Sequence, residues 1–134
     1  MAKIVEIEGI GNSYAAKLEA AGIPTIEALL EKGSTPKARK ELAAKTGIDE
    51  KLILTWVNHA DLFRIKGIGS EYADLLEFAG VDTVPELANR NAENLLDKIT
   101  AINTEKKLVR RLPSKADIES WIEQAKNLPR LVNY

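Results

Sequence analysis

The chain has 134 residues, of which 45% are apolar, 19 are basic, 20 are acidic and none is cysteine. Such a chain can bury one hydrophobic core of ordinary size. Its net charge of −1 excludes a global positive field that would attract nucleic acid. The lack of cysteine excludes disulfides, thiolate metal sites and cysteine nucleophiles. No apolar run approaches the roughly 20 residues of a membrane helix, so we expect a cytoplasmic protein without membrane contact.

Apolar residues recur at spacings of three and four along most of the chain, which predicts an all-α fold. Caps and glycine stops delimit the helices. The helices predicted in the first half are 13–21, a short helix from Thr25 to 32, a helix from Thr35 to 45 and the longest helix, from Asp49 to about 63. Those predicted in the second half are 71–79, a short helix after Thr83, a helix after Asn91 and a last helix from Ser114 to 127. We therefore predict a compact bundle of about eight to ten short helices.

The chain contains an internal duplication. At an offset of 58 positions, residues 7–30 match residues 65–88 at twelve of 24 positions. The last helix matches the helix from Asp49 at an offset of 65, with Trp121 aligned to Trp56, which places a seven-residue insertion within 102–113. A duplication on this scale predicts two tandem repeats, residues 1–64 and 65–134, in one pseudo-twofold domain. Because only residues 2–8 precede the first turn, we expect the final helix to return and pack beside the first hairpin.

Each repeat begins with a Gly-Ile-Gly turn, at 9–11 and at 67–69, directly before an amphipathic helix. Glycine supplies the positive φ that such a turn needs, and the central isoleucine is expected in the core. The amides at the helix start then point outward, where they can bind a phosphate, and the carbonyls of the turn could hold a monovalent cation. The alternative is a compact helix connection without a ligand. We expect no other cofactor.

The pattern apolar-x-Gly-Ile-Gly-x-x-x-Ala-x-x-Leu occurs twice, beginning at Ile7 and at Ile65. It resembles the helix-hairpin-helix motif of DNA repair and replication proteins. The longer pattern, through 21–25, is similar to a bacterial family of tandem helix-hairpin-helix domains of unknown function. The resemblance implies the SAM-like helix-hairpin-helix architecture and non-sequence-specific binding to DNA phosphates. The amides implied in that binding are those of Gly9, Gly11, Gly67 and Gly69.

The two turns differ in the charges around them. Side chains that suit a phosphate follow the first turn, namely Asn12, Ser13 and Lys17. Glu8 precedes that turn. At the second turn Lys66 is favourable, but Glu71 and Asp74 would repel an anion by on the order of 0.3–1 kcal/mol each, comparable to the attraction of the helix start. The sequence therefore predicts that the first hairpin is the stronger phosphate site.

The insertion carries a second candidate surface. It concentrates positive charge within ten residues, at Lys106, Lys107, Arg110, Arg111 and Lys115. These cations could neutralise about two or three phosphates. The spacing of Leu108, Val109 and Leu112 predicts a helical turn that packs on one side and presents the basic residues together. The alternative is a solvated loop.

Catalysis is not expected from this sequence. His59, the only histidine, lies mid-helix without a partner that would make it a general base. No metal-ligand spacing and no Gly-Lys-Ser/Thr phosphate loop occur. Residues 3–7 alternate like a strand before Gly9, but Tyr14 stands where a dinucleotide-binding turn needs its third glycine. We expect neither an enzyme nor a protein with a small-molecule substrate.

Two functions from different classes remain. The glycine turns and the basic insertion favour DNA binding, whereas the near-neutral charge and the acidic second hairpin favour a helical adaptor that binds another protein or a second copy of the chain. We predict DNA binding and keep the adaptor as the alternative.

Overall fold

The computed structural model describes residues 2–134. Across this range it contains eight α-helices, one 3-10 helix at Ile4–Glu6 and no strand, so the all-α prediction is confirmed. The helices are α1 (Asn12–Ala20), α2 (Ile26–Lys32), α3 (Pro36–Thr46), α4 (Glu50–Leu62), α5 (Ser70–Phe78), α6 (Val84–Ala88), α7 (Ala92–Lys106) and α8 (Lys115–Lys126). α7, with 15 residues, is longer than α4, with 13, because it continues into the insertion. The prediction that the helix from Asp49 is the longest is therefore wrong.

The helix boundaries follow the capping residues that the sequence predicts. The side chains of Thr25, Thr35, Asn91 and Ser114 each accept a hydrogen bond from the backbone N–H three residues on, at 3.0–3.2 Å. Such a bond satisfies one of the orphan amides of a helix start. Gly47 ends α3 with φ +73°, the left-handed conformation that favours glycine.

The alternating segment at the N-terminal end forms no strand. Ile4–Glu6 is a 3-10 helix with Ile4 buried, and a single antiparallel bridge pairs Lys3 with Thr25. The backbone N–H of Lys3 donates to Glu6 Oε2 at 2.9 Å, which closes the turn. Local side-chain bonding therefore prevails over the strand-like alternation.

The chain divides into two compact units. The first contains the residues up to Asp61 together with Leu131–Tyr134, and the second contains Leu62–Arg130. In the first unit Arg39 is buried, and its guanidinium donates to the carbonyl of Gly33 at 2.8 Å and to that of Asn133 at 2.6 Å. These bonds hold the C-terminal segment 131–134 to the unit, with Val132 buried. Burial lowers the pKa of Arg39, although a guanidinium stays charged in proteins.

The second unit has a continuous apolar core to which α5, α6, α7 and α8 all contribute. α8 packs on α6 and α7 and buries one face. The residues of that face are Ile118, Trp121, Ile122 and Ala125. These contacts lie within the second unit, so the expectation that the final helix packs beside the first hairpin stays a prediction.

Candidate functional site

The two glycine turns have the same backbone geometry. Gly9 and Gly67 have φ of +92° and +100°. The N–H of Ile10 donates to the carbonyl oxygen three residues earlier at 3.1 Å, and that of Ile68 does the same at 3.2 Å. Both isoleucines are buried, as predicted. The duplication in the sequence is therefore a duplication of local structure.

An aromatic pair lies against each turn. The rings of Tyr14 and Trp56 have centroids 5.0 Å apart and planes inclined at 59°, and those of Tyr72 and Trp121 are 5.2 Å apart at 52°. Both tryptophans are buried, so they are core residues and do not offer a free face for base stacking. Each pair fixes the helix that follows its turn.

The amides after each turn have no capping side chain. Gly11 and Gly69 occupy the N-cap positions of α1 and α5 in extended conformation, and no N-cap side chain accepts a hydrogen bond from the first amides of either helix. Within residues 2–134, no hydrogen bond is formed by the backbone N–H of the three residues after either glycine. A Cβ added to Gly11 or Gly69 would meet nothing within 4 Å. Both rows of amides therefore lack a hydrogen-bond partner within the described residues, and we call them the open amides.

The first turn carries few fixed charges. Asn12, Ser13 and Lys17 are all exposed, and so is Glu8 before the turn. The ammonium of Lys17 lies 5.9 Å from the ring centroid of Tyr14, at the outer limit of a cation–π contact. Lys17 is thus the nearest cation of this helix to the turn, one helical turn beyond the open amides.

The second turn forms one wall of a cleft of about 380 Å³. The cleft is lined by Gly67, Gly69, Ser70, Glu71, Tyr72, Arg110 and Arg111. The structure thus brings two residues of the basic insertion to the turn, although about 40 residues separate them in the chain. Ser70 Oγ is buried there and has no hydrogen-bond partner among the described residues. Glu71 is the acidic residue of the cleft.

The side chain of Gln124 holds the backbone of Lys66. Its Oε1 accepts from the N–H of Lys66 at 2.9 Å, and its Nε2 donates to the carbonyl of Lys66 at 3.2 Å. Because only the backbone is engaged in these bonds, the exposed side chain of Lys66 remains available beside the second turn.

Three contacts hold the loop 107–113 in place. The side chain of Asn103 accepts from the N–H of Val109 at 3.0 Å and donates to its carbonyl at 3.2 Å. The hydroxyl of Tyr72 donates to the carbonyl of Arg111 at 2.8 Å. The predicted helical turn in this segment is wrong, because Lys107 ends α7 at φ +52° and Asn103 replaces the helical hydrogen bonds.

The loop ends in a capping box at the start of α8. Ser114 and Asp117 exchange hydrogen bonds between side chain and backbone at 2.9 and 3.0 Å. The hydrogen bond from the backbone N–H of Ser114 to the carboxylate, then bonding to the Ser114 side chain, and to a lesser extent the charge of Arg111, lower the pKa of Asp117. The carboxylate is therefore stabilised where the loop joins the helix.

The other three basic residues do not line this cleft, and Lys115 is the exposed first residue of α8. Lys106 is the last residue of α7, and its ammonium lies 4.7 Å from the ring centroid of Phe78 at the far end of α5. Lys107 follows it at the exposed helix end. Sequence reasoning did not predict which turn the insertion reaches. The alignment of Trp121 with Trp56 gave part of the signal, because it predicts that the two tryptophans cover equivalent turns. Only the structure shows that Trp121 covers the second turn, to which it brings the start of α8 and the loop before it.

The part of the chain that the structure describes contains neither a metal-binding cluster nor a membrane-spanning helix. No group of three or more His, Cys, Asp or Glu side chains could hold a metal ion. None of the helices within residues 2–134 has the length and apolar character needed to cross a membrane. His59 is buried in α4.

Comparison with known proteins shows the family of this chain. No solved structure matches the chain. The model of a family described as a domain of unknown function (DUF4332) matches residues 8–128, a range that includes both turns and all eight helices. The chain therefore belongs to the DUF4332 family of domains of unknown function.

Proposed function

We propose that the chain binds DNA without sequence specificity, through backbone phosphates, and that its two turns are helix-hairpin-helix contact points. The observation that carries the proposal is the position of Arg110 and Arg111 in the cleft beside the open amides of α5. A helix start attracts an anion, and arginine donates paired hydrogen bonds to phosphate oxygens. The two features together form a site for a phosphodiester.

The position of the two arginines changes which turn we propose as the stronger phosphate site. From the sequence alone the first turn is the better candidate, because Glu71 and Asp74 lie near the second. Two arginines and one acidic residue, Glu71, line the cleft, whereas the first turn has only Lys17 on its helix. We therefore propose the second turn as the stronger phosphate site and the first as the weaker one.

Non-specific and salt-sensitive binding follows from this chemistry. Backbone N–H groups and guanidinium groups that contact phosphates position the protein but read no base. A net charge of −1 supplies no long-range attraction, so affinity depends on a few local contacts. Binding should be measurable at low ionic strength and fall steeply as salt is added.

The test is the salt dependence of DNA affinity, measured by fluorescence anisotropy with a labelled duplex. The double variant Arg110→Ala with Arg111→Ala should lower the slope of log affinity against log salt by about 2, because each phosphate contact contributes about 0.9. A matched control removes two exposed lysines of α3, Lys40→Ala with Lys45→Ala, and changes the net charge equally. Equal slopes for the arginine variant and the unmodified protein would contradict the proposed site.

The adaptor function has one structural observation in its favour. A groove of about 330 Å³ in the first unit is lined by Leu30 and Leu131 beside Glu27, Glu31 and Ser34. Apolar side chains framed by polar ones are typical of a protein-binding surface. The adaptor requires salt-tolerant self-association or a partner that co-purifies. A monomer in light scattering that captures no protein would count against it.

A further inference from the structure

An exposed aromatic ring lies at the far end of the helix that follows the second turn. Phe78 is 48% exposed and is not part of the core of its unit. The ammonium of Lys106 lies 4.7 Å from the centroid of its ring. In the first repeat the corresponding residue is Ala20, so this ring belongs to the second repeat alone.

The basic loop runs along α5 from this ring to the turn. Lys106 contacts Phe78 at the C-terminal end of the helix, and the carbonyl of Arg111 accepts from Tyr72 near its start. At a rise of 1.5 Å per residue, the eight steps from Ser70 to Phe78 span about 12 Å. That length corresponds to about three to four nucleotides of a stacked strand at 3.4 Å each. Cations therefore border α5 along a path that a short nucleic-acid strand could follow.

We propose that the second unit binds single-stranded DNA, with phosphates at Arg110, Arg111 and the open amides, and with one unpaired base stacked on Phe78. This inference rests on the proposed DNA-binding function and deepens it. A duplex keeps its bases stacked on each other, so a protein ring can stack only on a base that is unpaired. The charge of the loop supplies the complementary contact for the backbone of that strand.

Lys106 would also take part in binding the single strand, through its ammonium group. A base that takes the place of the ammonium over the ring keeps the ring covered. The displaced ammonium is then available to the phosphate of the same strand. A flexible lysine stem permits this exchange, because the charged group can move without any change in the backbone. Aromatic rings beside cations are the usual means by which proteins hold single strands.

The test compares a labelled oligothymidine, an abasic strand of the same length and a duplex, all at low salt. Phe78→Ala should weaken binding of oligothymidine by about 5- to 150-fold, the range for loss of one stacked base, and leave duplex affinity unchanged. The salt slope should not change, because no charge is lost. The unmodified protein should bind the abasic strand as weakly as Phe78→Ala binds oligothymidine. Phe78→Trp should retain the affinity.

Controls keep the two proposals distinguishable. Leu52→Ala removes a comparably exposed apolar side chain from α4 and should change nothing. Since Phe78 lies outside the core, its variant should fold, which circular dichroism will show. If Phe78→Ala binds oligothymidine as the unmodified protein does, the stacking proposal is overturned while DNA binding stands. If neither form of DNA is retained at low salt, both proposals fall.

Discussion

The first glycine of each turn offers a quantitative test of the duplicated geometry. A Cβ at Gly67 would lie 2.8 Å from Nε1 of Trp121, whereas a Cβ at Gly9 would lie 3.5 Å from Nε1 of Trp56, an ordinary contact. Both glycines have positive φ, so alanine at either position adds about 1–2 kcal/mol of backbone strain. Only at Gly67 does the steric overlap with the indole add about 1–3 kcal/mol more.

We therefore expect Gly67→Ala to lower the free energy of unfolding by about 2–5 kcal/mol and Gly9→Ala by about 1–2 kcal/mol. Gly47→Ala is the matched control, because Gly47 also has positive φ but an added Cβ there meets nothing within 4 Å. Urea unfolding, followed by circular dichroism and tryptophan fluorescence, measures all three. If Gly67→Ala is no more destabilising than Gly9→Ala and Gly47→Ala, the account of the second turn is wrong.

Three further predictions concern the hydrogen bonds that shape the two units. Ser114→Ala should raise the pKa of Asp117 in an NMR titration. With Ser114 present, the lowered pKa stabilises the folded protein at pH values above about 3.9, the pKa of an aspartate in the unfolded chain. This stabilisation is lost as the pH falls through the pKa of Asp117 in the folded protein. Because alanine retains the backbone N–H that donates to the carboxylate, an unchanged pKa would show that the Ser114 side chain has no part in lowering it. Arg39→Met should destabilise the chain by about 1.5–3 kcal/mol in urea unfolding, because buried carbonyls lose a charged donor, and a neutral effect would contradict that role. Asn103→Leu should release the loop at Val109, seen as faster amide exchange there, and weaken DNA binding; protection equal to that of the unmodified protein would refute the clamp.

The ends of the helices were predictable from the sequence because they depend on residues that act on their immediate neighbours in the chain. Thr25, Thr35, Asn91 and Ser114 act within three residues of themselves, so the sequence indicates their caps without knowledge of the fold. The same holds for the two glycine turns, where positive φ is a property of one residue. For this reason the predicted and observed helices agree closely at their ends.

Features that depend on tertiary contacts were not predictable in the same way. Val109 and Leu112 have helical spacing, but the side chain of Asn103 takes the backbone bonds that a helix would need. The packing of α8 depends on which turn Trp121 covers, and the duplication alone does not reveal that. For the same reason the sequence did not reveal that Arg110 and Arg111 line the cleft at the second turn.

We propose that the open amides of α5 and two loop arginines bind DNA phosphates at the second turn. The most direct measurement is the affinity for a labelled DNA across a series of salt concentrations, for the unmodified protein and for Arg110→Ala with Arg111→Ala. We expect binding at low ionic strength that falls steeply with salt, and a slope smaller by about 2 in the double variant. Absence of binding at the lowest salt, or an affinity that is insensitive to salt, would contradict it.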